Sequence, residues 1–183
     1  MRSLRLALAL STACLLVQIP AFGQGASAGA PLSQKSLERI TKEVRHELVL
    51  LPYYGVFDNL AYKVDADHVT LVGQVVTPKM RSDAEKAVKS IEGVAGVNNQ
   101  IEVLPLSPMD DQIRRAEFRA IYSAPGMDKY AIQAVPPIHI VVKGGNVTLV
   151  GAVASQIDKA IAEMRAKSVP DVFSVGDELM VEK

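Results

Sequence analysis

Three histidines and a few clustered carboxylates are the residues of this 183-residue chain whose types could do chemistry. His68 stands with Asp65 and Asp67, and imidazole with carboxylates is a competent donor set for a divalent metal. Hairpin turns use the same Asp-rich stretch for backbone reasons, and on that preferred reading no metal site is assigned. His46 lies among Lys35, Arg39 and Lys42 on the polar side of a helical pattern. His139 sits between Ile138 and Ile140, so strand alternation sends it to the face opposite the isoleucines. Both histidines are expected in water. Asp83, Glu85, Asp158 and Glu163 are expected as helix-surface carboxylates without an apolar pocket to raise a pKa, which argues against an acid–base pair. Neither a Gly-x-Ser-x-Gly elbow, a phosphate-cradling glycine loop nor a calcium loop occurs. No catalytic residue and no cofactor are assigned, and the chain is read as non-enzymatic.

The least ordinary chemistry is in "SPMDDQIRRAEFRAIYSAPGMDKYAIQAVPP". A helix beginning there should bury Met109, Ile113, Ala116 and Ala120, which leaves Phe118 and Tyr122 well away from the stripe beside Arg115 and Arg119. Aromatic rings flanked by guanidinium groups suit a lipid interface, with rings among the headgroups and arginines on phosphate. Arg115, Phe118, Arg119 and Tyr122 are therefore the candidate lipid-binding residues. The competing reading packs Phe118 and Tyr122 against the loop from Ala124 to Pro137 or against the rest of the chain. Asp110, Asp111 and Glu117 weaken any pull toward anionic lipid.

The elements that must position these residues come as two copies of one unit. Val69-Thr70-Leu71-Val72-Gly73 returns letter for letter as Val147-Thr148-Leu149-Val150-Gly151, and a shift of 78 residues holds without a gap from Leu60 to Val103. Upstream a shift of 72 pairs Leu37 with Met109, Val44 with Ala116 and Leu48 with Ala120, so the second copy has six extra residues before its first strand. In the first copy Leu37, Ile40, Val44, Leu48 and Leu51 recur at helical spacing, with Ser33 or Ser36 to cap and Pro52 to stop. Leu60, Tyr62 and Val64 alternate, Asp65 to His68 turn, and Val69 to Val76 return as a hairpin. Thr77-Pro78 opens a second helix along Met80, Ala84, Ala87, Val88 and Ile91. Val97, Ile101 and Val103 then mark a third strand. The fold class is α+β: two tandem αββαβ units, each a three-stranded mixed sheet with two helices packed on one face.

Arg2 and Arg5, an apolar run from Leu6 to Val17 and the small residues Ala21 and Gly23 read as a secretory signal over residues 1–23, followed by a flexible stretch over 24–32. The units are placed at 33–105 and 106–183. Export without Cys14, the chain's one cysteine, leaves no thiol for a disulfide. Each copy holds nine basic and ten acidic residues, a balance that offers nucleic acid no footing.

The αββαβ order, "VTLVGQVV" and "VTLVGAVA", and the Gly-Val step in "IEGVAGVNNQIEVLP" resemble the BON domain. In the second copy Asp171 stands where the first has Gly93, a departure from the pattern. That resemblance implies a periplasmic module of the bacterial envelope, peripheral to a membrane and in some cases outer-membrane-associated. Its implied partners are anionic phospholipid or envelope proteins, in envelope stress or integrity. The alternative is a protein-interaction scaffold without lipid binding, accepting a strand at an open sheet edge.

Overall fold

The computed structural model describes residues 33–182, which belong to one compact unit. The signal over 1–23, the stretch 24–32 and Cys14 lie outside the described residues. In the first copy, α1 (Gln34–Val49) starts at Ser33, whose side chain accepts the Ser36 N–H. Ile40, Val44 and Leu48, spaced by four, form its buried stripe. β1 (Asn59–Asp65) turns tightly into antiparallel β2 (His68–Val75), pairing Asp65 with His68. α2 (Pro78–Lys89) is capped by Thr77, begins with proline and buries Met80, Ala84 and Val88. The single third strand expected from the sequence is split. β3 (Gly96–Asn99) and β4 (Glu102–Val103) both run parallel to β2 in one register, and between them Asn99 Oδ1 accepts the Ile101 N–H at 3.2 Å. This local side-chain bond interrupts the strand without shifting it.

The second copy repeats the plan with α3 (Pro108–Tyr122), β5 (Ile138–Lys143), β6 (Asn146–Val153), α4 (Gln156–Lys167) and β7 (Ser174–Val181). β6 lies between antiparallel β5 and parallel β7, as β2 lies between β1 and β3. The longer connection after α3 contains a 3-10 turn, Asp128–Tyr130, and buries Met127 and Tyr130. Asp171 takes the left-handed conformation, φ 64°, that Gly93 takes at φ 89° in the first copy. Aspartate is among the few residues that tolerate it.

Each copy closes its own core. Ile40, Val44, Leu71, Val75 and Val88 centre the first, and Ile113, Ile121, Ile140, Leu149 and Ala162 the second. The repeated pentapeptide ends in glycine for one backbone reason. Gly73 (φ 118°) and Gly151 (φ 130°) press on the first strand of their hairpins, where a Cβ would strike the carbonyl oxygens of Asn59 and Pro137.

A groove built by both copies

The face of α3 differs from the sequence expectation. Its buried residues are Asp110, Ile113, Arg114, Glu117, Ile121 and Tyr122, whereas Met109 is 48% exposed and Ala116 and Ala120 are half-buried. The buried residues Ile40, Val44 and Leu48 of α1 match Ile113, Glu117 and Ile121 of α3 by burial, a shift of 73 residues rather than 72. One residue turns a helix by about 100°, which accounts for the change of face.

The polar residues on that inner face have work to do. The Asp110 carboxylate accepts the N–H groups of Gly144 and Gly145, both at 2.9 Å, tying the first turn of α3 to the β5–β6 turn. Arg114 donates to the Val142 carbonyl at 2.7 Å and to Asp111 at 2.6 Å. Tyr122, 5% exposed, donates to the Ile138 carbonyl at 2.5 Å and belongs to the second core, contrary to its expected place at the surface.

The other three candidates stay together outside. Arg115 and Arg119 are exposed and have no ion-pair partner among the described residues. Phe118 is 36% exposed, with its ring 4.8 Å from that of Tyr122 beneath it and 6.4 Å, edge-on, from Phe57. Val56, Phe57, Arg115, Phe118 and Arg119 line a groove of about 420 Å³. Its floor is apolar and its free charges are cationic.

Val56 and Phe57 come from the first copy, in the loop between α1 and β1. Asp58 anchors that loop: buried, it accepts the Val76 N–H at 2.8 Å. Burial raises its carboxyl above the ordinary range, against the pull of the Val76 and Gly55 backbone bonds and the Arg114 charge. Val56 in turn accepts the Ile140 N–H at 2.7 Å, extending the β5 edge. Tyr54 stacks on His139 with centroids 5.6 Å apart. His139 is thus not solvated as expected: strand alternation puts it on the face opposite Ile138, but the first copy covers that face. Burial lowers its pKa, opposed by backbone contacts to Gly55 and Asp58.

Two more of the titratable candidates make side-chain contacts. His68 binds Asp67 at 2.8 Å, and no cluster of three metal-ligating side chains is found among the described residues. Asp158 is buried rather than on the helix surface, receiving Lys129 at 2.9 Å and Tyr130 at 2.8 Å because the longer loop folds over it. The Lys129 and Tyr130 hydrogen bonds hold its carboxyl below the usual range. Sequence reasoning missed Val56 and Phe57; of the three aromatics in "PYYGVF", Tyr54 and Phe57 are half-buried and Tyr53 is exposed.

The free charges of the groove are guanidiniums, which stay protonated near neutrality. Residues 36–105 and 125–183 match the BON domain, and the chain belongs to that family of non-catalytic, envelope-associated modules. No helix among the described residues is long and apolar enough to cross a membrane. Curated proteins gave no match. Among solved structures, the chain is similar to the C-terminal domain of CdsD, the structural protein of the type III secretion system of Chlamydia trachomatis. That match has 9% identity and a TM-score of 0.33, covering 78% of this chain and 96% of the other. A second CdsD structure gives 10% identity and a TM-score of 0.30, covering 79% and 94%.

Proposed function

We propose that this chain is a periplasmic envelope protein that binds anionic phospholipid at a membrane surface through the groove of Val56, Phe57, Arg115, Phe118 and Arg119. The observation that carries the reading is the pairing of an apolar floor with two arginines that have no acidic partner among the described residues. An amphiphile with a negative headgroup complements both features. Phe118 and Phe57 provide rings for the headgroup boundary, and Arg115 and Arg119 meet phosphate. Tyr122 supports Phe118 from the core and touches no lipid. Export by the signal, association with the outer membrane and a part in envelope stress or integrity accord with this reading.

Co-sedimentation with vesicles of anionic and of neutral phospholipid, at low and physiological salt, tests it. Arg115→Gln with Arg119→Gln should weaken anionic-vesicle binding roughly 30-fold at low salt, from ~1 kcal/mol per arginine at a charged surface. Phe57→Ala with Phe118→Ala should weaken binding at both salt levels. A parent protein that ignores anionic vesicles at low salt sinks the proposal.

A second reading, a scaffold for proteins, has its own support. Ile157 and Met164 are 72% and 63% exposed on α4, at the places where the first copy carries Lys79 and Lys86. Exposed apolar residues in place of lysines suit a protein contact, and this reading gains if vesicles are not bound.

A further inference from the structure

The second core holds an acid with nothing to hold it. Glu117 is fully buried, and neither carboxylate oxygen has a hydrogen-bond partner among the described residues. It lies between Ile113 and Ile121 as Val44 lies between Ile40 and Leu48, so a carboxyl occupies what is an apolar core position in the first copy. Such a site accommodates the neutral acid far better than the anion. Burial alone pushes the Glu117 carboxyl up to about 8.

Most charged groups on the elements packed around it are engaged elsewhere. On α3, Asp110 holds the glycine turn, Arg114 holds Asp111 and the Val142 carbonyl through its two terminal nitrogens while its buried Nε has no partner among the described residues, and Arg115 and Arg119 line the groove. On β5, His139 stacks on Tyr54 and Lys143 pairs with Glu102. On α4, Asp158 binds Lys129 and Tyr130, Lys159 binds the Leu179 carbonyl and Asp177, Glu163 pairs with Lys167, and Arg165 is exposed. Tyr122 is bound to Ile138, and Asp58 of the first copy to Val76. None of them bonds to Glu117.

We propose that Glu117 is a proton-operated latch on the groove: α3 stays seated on the second sheet while Glu117 keeps its proton, and is released when the proton leaves. Arg115, Phe118 and Arg119 sit within two residues of Glu117 on the same helix, so a movement that lets the carboxylate reach water carries the groove's wall with it. The inference rests on the reading of the groove as the lipid site. Its sign follows from linkage. In the released or unfolded helix a glutamate ionises near ~4.3. In the seated helix it does so only near about 8. Between the two, the seated state holds a proton that the released state lacks, so the stabilisation is full in acid and is lost as pH rises through the upper value.

The test uses the intact chain with Glu117→Gln and Glu117→Val, between about pH 5.5 and 8.5 at constant ionic strength. Amide hydrogen exchange reports the opening of α3, corrected for intrinsic exchange. In the parent this opening should rise with pH, by up to about tenfold per unit. In both variants it should be flat. Vesicle binding should weaken several-fold from about pH 6 to 8.5 in the parent and stay level in the variants. Carbon NMR of the Glu117 carboxyl needs no variant, and there a midpoint near ~4.3 would overturn the latch. So would an opening in the parent that parallels the variants. Loss of vesicle binding at every pH, with the Glu117-dependent opening intact, would sink the lipid reading and leave the latch standing.

Discussion

Gly73 and Gly151 show how one atom can fix a residue. Each sits at positive φ with its α-carbon against a carbonyl of the neighbouring strand, and even alanine would drive a methyl into that oxygen. Gly73→Ala and Gly151→Ala should each cost about 2 kcal/mol or more, because both backbone strain and a clash oppose the change. Urea denaturation measures this, and unchanged midpoints would mean that the strands part without cost. These glycines were legible in the sequence, since an identical pentapeptide in two places demands a shared backbone need. Glu117 was not: an acid at helical spacing reads as a solvated position unless its inward direction is already known.

At the scale of elements, α3 is the helix whose polar inner face decides its orientation. Asp110 contributes most visibly, because its carboxylate accepts two backbone N–H groups at a buried helix start. Asp110→Ala should destabilise the second copy by about 1–2 kcal/mol, leaving the buried Gly145 N–H unpaired and the exposed Gly144 N–H to water, while Asp110→Asn should recover part of the loss. Thermal melts of the three proteins check this, and equal melting temperatures would make the contact incidental. The same residues explain why the helix was legible as a helix while its face was not. Hydrophobic periodicity counts Met109, Ala116 and Ala120 and ignores Asp110, Arg114 and Glu117, so the apparent stripe lies one residue away from the true one. In α1, where the inner positions are Ile40, Val44 and Leu48, the same counting gives the right face.

For the molecule as a whole, the two copies are unequal partners. The first core draws all its residues from within residues 33–105, whereas the second also packs against Val56 and Phe57 of the first copy. The fragment 33–105 should therefore fold alone. The fragment 106–183 should be weaker than the same region in the intact chain by roughly 2 kcal/mol, the worth of two partly buried apolar side chains. Circular dichroism and amide dispersion of the separate fragments decide it, and a second fragment as stable alone as in the chain would deny the contact any energetic role. Alternation correctly turned His139 away from Ile138 but took the other face for water. A cover supplied by a different copy leaves no trace in the periodicity of the strand it covers.

The bond from the Ile140 N–H to the Val56 carbonyl also bears on what the second sheet can meet. The loop that carries Val56 is tied to its own copy by Asp58, which accepts the Val76 N–H. An unguarded strand edge is the part of a nascent sheet most apt to join a foreign chain. Here the first copy lays Val56 along that edge, so the earlier half of the molecule screens part of the later half's sheet from foreign strands.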